Sequence, residues 1–364
     1  MRYRRCKACG VPRVVSVINR WMPNGTITSR RDPRIRQMFF EADLLPELRR
    51  RITEGLSFPV NRIFYEAGRN SSRIVMGELL PFSARLALRM PPFRRGAAHF
   101  FNTLAALSGA AYSRIVEYHP GKYGTARMRN PWDLDLVAAV VVGAFEALEG
   151  RPLRSFWKKE DGDYLLRVEV TSEKPELSER LEVDFPPLKE GDHHFYRCPR
   201  CGVPMDMRNL EWREDEGIII DRRRGVRMLN WEGFSFNLVT RELVREMGEE
   251  VVPIIIGSER DYTIKLLRDL GLAGEFREKR EDLLEEMLAM LPLYGQGLAT
   301  DVEYISGGTL RVWVDNPYDE YFLAGKLAAF YEAVEGKRAR VDWARIDPSS
   351  VSYLLTPQEK QNGA

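Results

Sequence analysis

Apolar residues recur along the chain with two different periods, and each period predicts one kind of secondary structure. In residues 44–56 and 236–247 apolar side chains return every three or four positions, which is typical of an amphipathic helix. Residues 275–291 carry leucines and methionines on one helical face and acidic residues on the other. Residues 309–314 alternate apolar and polar positions, as a strand with one buried face does. The chain is therefore expected to combine helices with strands.

The end of the chain predicts a hairpin, a helix and a second hairpin. Ser306-Gly307-Gly308 is expected to form the first turn, and Asn316-Pro317 ends the next strand because proline has no N–H to donate to a sheet. Gly336 suits the left-handed cap of a helix end. The predicted strands are residues 298–305, 309–314, 338–343 and 351–355, and the predicted helix is residues 320–334.

An earlier part of the chain predicts the same order of elements. Its predicted strands are residues 114–118, 125–129 and 164–170, and its predicted helix is residues 134–148. Helices packed on antiparallel sheets are expected in both places, which makes the fold class α+β.

These two segments belong to an internal duplication. The sequence C-x-x-C-G-V-P occurs at residues 6–12 and again at 198–204, an offset of 192 residues. Further matches follow in the same order at an offset of 186, namely 117–118 with 303–304, 130–133 with 316–319, and 145–150 with 331–336. Ordered matches along both halves are best explained by duplication of one unit.

The duplication predicts where the units begin and end. The region between them contains several Glu, Lys and Pro residues, including Pro186-Pro187, and is typical of a linker. The polar C-terminal tail is expected to be frayed. The expected division is repeat A at residues 1–170, a linker at 171–197, repeat B at 198–356 and a tail at 357–364.

Repeat B resembles the 4-vinyl reductase (V4R) domain family, of the hydrocarbon-binding type. The resemblance rests on Tyr294-Gly295-Gln296-Gly297, on Asn316-Pro317-Tyr318, and on a helix that contains Ala324-Gly325 and ends in Val334-Glu335-Gly336. Repeat A carries a weaker version in Gly109, Asn130-Pro131 and residues 143–150. The resemblance implies a tandem pair of α+β modules, each able to enclose a hydrophobic pocket. In this sequence a C-x-x-C-G knuckle precedes each module.

Aromatic side chains on the hairpins and the helix are the candidates for lining such a pocket. At strand or helix spacing the same residues can equally belong to the core, and both interpretations stay open. The candidates are Trp132, Phe145, Trp313, Tyr318, Phe322 and Tyr331.

All four cysteines stand in the two C-x-x-C-G motifs: Cys6, Cys9, Cys198 and Cys201. The two-residue spacing lets both thiolates of one turn face the same metal ion, and the glycine permits the turn. Two such pairs make a set of four sulfur ligands that suits Zn²⁺, although an iron ion or an iron–sulfur cluster uses the same ligands. Because each repeat supplies one pair, the metal is expected to be a structural staple between them. A redox pair is disfavoured because Val-Pro follows each glycine.

The net charge of +2 hides an asymmetry along the chain. Residues 1–100 carry a net charge of +13, whereas residues 201–300 carry −6. A nucleic-acid partner is disfavoured because the aromatic interleaving of single-strand binders is not evident. The opposite charges predict contacts between the two repeats, or a homo-oligomer or protein partner bound through the Arg-rich N-terminal region.

Neither a membrane span nor a secretory signal is evident. The most apolar stretch, residues 134–148, is shorter than the roughly 20 apolar residues that cross a bilayer, and no apolar stretch follows the N-terminal residues. A cytoplasmic protein without a membrane partner is therefore expected.

The sequence shows no catalytic constellation. It contains no Walker A motif, no G-x-G-x-x-G in a βαβ context and no G-x-S-x-G. His99 and His119 have no counterpart in repeat B and are interpreted as structural residues rather than haem ligands. The expected function is a metal-stapled binding protein for a small hydrophobic or aromatic molecule. The alternatives are an enzyme or enzyme accessory protein acting on an aromatic or tetrapyrrole-like substrate, and an assembly scaffold.

Overall fold

The predicted α+β class is confirmed by the computed structural model of the chain, in which helices pack on antiparallel sheets. The structure describes residues 3–79, 87, 90–177, 180–273 and 280–358. The helices are α1 (Arg13–Ile18), α2 (Leu44–Leu56), α3 (Asn61–Leu79), α4 (Pro91–Leu107), α5 (Leu134–Glu149), α6 (Phe234–Met247), α7 (Val252–Asp269), α8 (Arg280–Tyr294) and α9 (Glu320–Glu335).

The strands of the described residues form three sheets in which every pairing is antiparallel. The strands are β1 (Asn19–Trp21), β2 (Ile27–Ser29), β3 (Arg36–Glu41), β4 (Tyr112–His119), β5 (Tyr123–Arg129), β6 (Leu153–Glu160), β7 (Asp163–Val170), β8 (Leu210–Arg213), β9 (Ile218–Asp221), β10 (Val226–Glu232), β11 (Leu298–Ile305), β12 (Thr309–Asp315), β13 (Ala339–Asp347) and β14 (Ser350–Pro357).

Two of the sheets have the same construction. Module A is the sheet β4-β5-β7-β6 with α5, and module B is the sheet β11-β12-β14-β13 with α9. Asp133 and Asp319 cap the starts of the two helices by accepting hydrogen bonds from backbone N–H groups of the first turn. Gly150 and Gly336 end them with φ of 65° and 67°, a conformation that costs glycine little. The predicted order of hairpin, helix and hairpin is therefore confirmed in both places.

The third sheet joins the two halves of the chain. This central sheet has the strand order β1-β2-β3-β10-β9-β8, and its middle pair is β3 with β10. Leu229 lies opposite Phe40, while Glu41 lies opposite Met228 and Glu232 opposite Gln37. Adding 191 to a residue number in β3 gives the equivalent residue in β10, just as it relates Trp21 to Trp212. Under this relation the pairing of Gln37 with Glu232 becomes the pairing of Met228 with Glu41. The sheet therefore has an approximate two-fold axis between β3 and β10.

Each side of the central sheet contacts the helix that leads into the module of the opposite half. The indole N–H of Trp21 donates to the carbonyl of Leu293 at 2.9 Å, and that of Trp212 donates to the carbonyl of Leu107 at 3.2 Å. These residues immediately precede modules B and A, respectively. The two halves are therefore interlocked, with an early strand of each held against the end of the helix that leads into the other's module.

Two glycines allow this close approach. A Cβ on Gly109 would lie 2.6 Å from the carbonyl oxygen of Met228, and a Cβ on Gly295 would lie 2.6 Å from that of Gln37. Both glycines also have positive φ, 80° and 74°, which other residues rarely adopt. The backbone of each half can reach the central sheet only where no side chain intervenes.

The opposite charges of the two halves meet in the folded chain, as one of the sequence interpretations predicts. Arginines of the first 100 residues pair with carboxylates of residues 201–300 at 2.7–2.8 Å. These pairs are Arg5 with Glu214, Arg51 with Asp261, and Arg62 with Glu246. Such partly exposed pairs each contribute roughly 0–1 kcal/mol, so they orient the halves more than they stabilise them.

The segment predicted as a linker, residues 171–197, runs against both halves. Leu177 and Leu181 are buried in the main hydrophobic core, and the backbone N–H of Lys189 donates to the side-chain oxygen of Asn316 at 2.8 Å. Residues 274–279, in the helix predicted from residue 275, and residues 359–364 of the predicted tail lie outside the described residues. Within the described ranges, no helix is both long and apolar enough to cross a membrane.

Candidate functional site

Each C-x-x-C segment forms a tight turn that is closed by backbone hydrogen bonds. The N–H of Cys6 donates to the carbonyl of Val11 at 2.9 Å, and the N–H of Cys198 donates to that of Val203 at 2.8 Å. The glycine after each motif has φ of 78° or 75°, which lets the chain reverse direction. The two turns have matching geometry because the same seven-residue motif builds both.

The four thiols meet at one point, as the sequence predicts. Their sulfur atoms all lie within 4.8 Å of one another. Cys6 Sγ lies 3.7 Å from Cys198 Sγ, and Cys9 Sγ lies 3.4 Å from Cys201 Sγ. A tetrahedral ion bound by sulfur at about 2.3 Å needs sulfur atoms about 3.8 Å apart. The four cysteines can therefore hold a metal ion, with one pair from each half of the chain.

The thiols differ in how readily they lose a proton. Burial by itself raises the pKa of Cys6, but hydrogen bonds from the backbone N–H groups of Cys9 and Ala8 and from the neighbouring thiols lower it to about 6. Burial raises the pKa of Cys9 and of Cys201. The group therefore holds one readily formed thiolate, at Cys6, beside two thiols, Cys9 and Cys201, that retain their protons more strongly. A metal ion would displace those protons, since it binds the thiolate form.

A cavity lies between the central sheet and helices α3, α4 and α5. Its volume is about 120 Å³, and its wall is mostly apolar, with Val75, Phe101, Leu104, Val141 and Phe145 among the lining residues. For scale, an apolar cavity of about 150 Å³ accommodates benzene. The space therefore suits one aromatic ring or a compact aliphatic group.

One part of the cavity wall is polar and lacks partners. Asn19, Asn230 and Glu232 line it and are 2%, 8% and 7% exposed. Asn19 Nδ2 and Asn230 Oδ1 have no hydrogen-bond partner among the described residues. Burial raises the pKa of Glu232 to about 7, and the hydroxyl of Ser235 offsets this only in part. Buried polar groups are normally paired, so this wall has unused capacity for hydrogen bonds.

The equivalent space beside module B is nearly filled. Its volume is about 20 Å³. The offset of 186 residues that relates α5 to α9 places Lys326 where module A has Val140, and Phe330 where module A has Ala144. Larger side chains at both positions account for the loss of volume.

Charged groups complete this filling. Lys326 Nζ lies 3.7 Å from Glu41 Oε2 and 3.3 Å from Glu259 Oε1. Arg224 forms an ion pair with Glu41 and a second one, at 2.7 Å, with Asp221. Burial alone raises the pKa of Glu41, but Lys326 and Arg224 hold it down at about 2. Glu41 and Glu232 thus occupy equivalent strand positions, but cations act on Glu41 whereas the groups that act on Glu232 are neutral.

Two of the aromatic pocket candidates lie at or near the cavity. Phe145 lines it and packs edge-on against Tyr118, with ring centres 5.3 Å apart. Trp132 lies one layer further out and packs edge-on against Phe40 and Trp231. Trp231 lines the cavity but was not among the sequence candidates, because it precedes the module that the resemblance covers.

The other candidates belong to module B. Tyr318 and Phe322 are buried against Phe236, with ring centres 5.4 and 5.0 Å from it. Tyr331 is buried, and its hydroxyl donates to a backbone carbonyl at 2.7 Å. Trp313 is half-buried on β12. None of these four residues lines either of the two equivalent spaces.

The two histidines that were considered as haem ligands in the sequence are exposed. His99 lies within α4, and His119 ends β4, where its Nε2 is 3.6 Å from a carboxylate oxygen of Glu117. Neither belongs to the group of metal-ligating side chains found among the described residues.

Comparisons with known proteins give little further guidance. No family model and no curated protein matches the chain. One similar solved structure is the crystal structure of the phenol-responsive sensory domain of the transcription activator PoxR with phenol. The similarity has a TM-score of 0.35 and 14% sequence identity, and it covers 46% of this chain and 90% of that one. Similarity of this degree does not assign the chain to the V4R family and carries no argument about its function.

Proposed function

We propose that the chain is a metal-stapled binding protein that holds one small aromatic or hydrophobic molecule in the cavity beside module A. The observation that carries the proposal is the difference between two equivalent spaces. One is a cavity of about 120 Å³ with an apolar wall, and the other is reduced to about 20 Å³ by Lys326 and Phe330. An assembly scaffold would have no need of the first, so binding is favoured over a purely structural role.

The size of the cavity sets the affinity that the apolar wall can supply. One aromatic ring buries roughly 150 Å² of apolar surface, which contributes about 4 kcal/mol at roughly 25 cal/mol per Å². That free energy corresponds to a dissociation constant on the order of 1 mM. A natural ligand that binds more tightly would need hydrogen bonds or charge interactions as well, and the polar wall could provide them.

The metal in this proposal is zinc. Four cysteine ligands form a closed tetrahedral site without an open position for a substrate, which is the arrangement of structural zinc. Iron fits the same ligands, so elemental analysis of the purified protein must decide between them. We expect one zinc ion per chain.

Filling the cavity tests the binding function directly. Ala144 lines the cavity at the position equivalent to Phe330, so Ala144→Phe should fill it with a side chain that the other half already accommodates. Ligand-observed NMR with toluene as the probe should show binding to the wild-type chain. For Ala144→Phe the dissociation constant should be at least tenfold larger. Ala144→Ser changes the volume little and should bind toluene as the wild type does.

The melting temperature and zinc content of each variant report whether it is folded. If folded Ala144→Phe binds toluene as well as the wild type, the cavity is not the binding site. If the wild type binds no toluene and carries no co-purified organic molecule in native mass spectrometry, the proposed function is wrong.

A further inference from the structure

The polar wall of the cavity contains a buried carboxyl group and an unpaired amide oxygen, both of which can accept hydrogen bonds from a ligand. Glu232 is 93% buried, and the groups that act on its carboxyl are its own backbone and the Ser235 hydroxyl. Asn230 Oδ1 lies on the same wall without a hydrogen bond from any described residue. A buried carboxylate is costly unless an opposite charge or several hydrogen bonds accompany it. The wall therefore favours a ligand that brings a positive charge.

The other half of the chain shows how the equivalent carboxyl is satisfied. Glu41 stands at the same strand position as Glu232 under the 191-residue offset, and Lys326 reaches from α9 to within 3.7 Å of it. At the position of Lys326, α5 carries Val140, which lines the cavity. A valine has no ammonium group and is shorter than a lysine. The space and the charge that Lys326 supplies beside Glu41 are therefore both missing beside Glu232.

We propose that the cavity binds a small molecule with a protonated primary amine on an apolar body. The ammonium group lies beside Glu232 as the ammonium group of Lys326 lies beside Glu41, and the apolar body fills the space between Phe101, Val141 and Phe145. Asn230 Oδ1 accepts a second hydrogen bond from the same ammonium group. This proposal rests on the proposed binding function and names the chemical class of its ligand.

Other head groups satisfy the wall less well. A hydroxyl group can donate to Asn230 Oδ1, but it leaves Glu232 without an opposite charge. A carboxylate ligand would place a second negative charge beside Glu232, which is unfavourable at close range. Asn19 Nδ2, an unpaired donor on the same wall, suits an oxygen atom next to the amine. An arylmethylamine or a branched alkylamine fits both the volume and the charge.

Three probes of nearly the same shape separate this proposal from the proposed function. Benzylamine, benzyl alcohol and toluene share one ring and differ in the head group. We measure their dissociation constants by NMR titration of the zinc-loaded full chain at pH 8, where the amine is protonated and Glu232, with its pKa of about 7, is mostly ionised. Benzylamine should bind at least about tenfold more tightly than benzyl alcohol, because a charge-assisted hydrogen bond is stronger than a neutral one.

Two substitutions localise the effect. Glu232→Gln should lower the affinity for benzylamine to about that for benzyl alcohol, because the carboxylate that pairs with the ammonium group is then missing. Val140→Lys places a lysine at the position of Lys326 and should abolish benzylamine binding, since the new ammonium group takes the ligand's place. If Val140→Lys does not fold, the Glu232→Gln comparison decides the question by itself.

The outcomes distinguish the two ideas. If toluene and benzyl alcohol bind but benzylamine binds no more tightly, the amine proposal is overturned and the binding function stands. An unchanged preference for benzylamine in folded Glu232→Gln likewise overturns the amine proposal. If none of the three probes binds the wild type, the proposed function fails and the amine proposal fails with it.

Discussion

The four-cysteine centre should stabilise the fold by linking residues that are far apart in the sequence. Cys9 and Cys198 are separated by 189 positions, and the metal must bring both motifs together before four ligands can act on it. In the folded chain the two motifs already lie side by side, since their four sulfur atoms are within 4.8 Å of one another. In the unfolded chain, bringing the two motifs together reduces the conformational entropy of the loop between them, and this costs free energy.

The size of this effect follows from the loop length. For a closed loop of about 190 residues, the loop-entropy relation gives a loss of roughly 18 cal/mol/K, or about 5 kcal/mol at 25 °C. The sulfur distances of 3.4 and 3.7 Å are close to those of a tetrahedral site, so little strain offsets this gain. The folded chain should therefore bind the metal more tightly than the unfolded chain by about 5 kcal/mol, and that difference appears as stability.

Urea unfolding followed by tryptophan fluorescence measures this quantity. The zinc-loaded chain is compared with the same chain after treatment with a chelator under reducing conditions. We expect the free energy of unfolding to fall by about 5 kcal/mol, and the same loss in the double variant Cys198→Ser, Cys201→Ser. That variant has only one pair of ligands, so the chelator should not destabilise it further.

Two results would show that a metal ion does not stabilise the fold in this way. If elemental analysis shows that zinc has left and the urea midpoint does not move, the metal does not staple the two halves. The same conclusion follows if the fully reduced, purified chain contains no metal although all four thiols are free.

Two further predictions concern the contact between the halves and the buried acid. In urea unfolding, Gly109→Ala should lower the free energy of unfolding by at least about 2 kcal/mol more than Gly121→Ala does. Both glycines have φ of 80°, but of the two only a Cβ at Gly109 would meet the backbone of another segment. Equal losses in the two variants would contradict the close approach. Burial raises the pKa of Glu232 from 4.5 to about 7, so the folded state favours the protonated acid and loses stability as the pH rises through that window. Glu232→Gln should therefore be more stable than the wild type at pH 8 but not at pH 4, and a pH-independent difference would contradict this sign.

The modules were predictable because local residues build them. The helix starts at Asp133 and Asp319 and the ends at Gly150 and Gly336 depend on hydrogen bonds within a few positions. The predicted strands 114–118, 125–129 and 164–170 lie within β4, β5 and β7, which differ by at most two residues at each end. Turn and cap chemistry of this kind is legible in one stretch of sequence.

Helix α3, whose buried face is partly polar, was not predicted. Polar residues interrupt the apolar face of helix α3, since Arg69, Asn70 and Ser71 on it are all buried. Arg69 is satisfied by an ion pair with Glu146 and by the carbonyl of Leu153, which it reaches at 3.0 Å. Both partners lie more than 70 residues further along the chain. An apolar periodicity cannot reveal a helix whose buried face is satisfied by polar partners from elsewhere.

The sequence by itself determined the metal-binding group and the two modules. The four cysteines are the only ones in the chain and stand in two identical motifs, and each module follows from turns and caps that act over a few residues. Only the tertiary structure decided how these parts meet. The pairing of β3 with β10, the crossed contacts of Trp21 and Trp212, and the contrast between Val140 and Lys326 all involve residues more than 100 positions apart. Packing free energy depends on which distant side chains share a space, so the cavity emerges only once both halves are folded together.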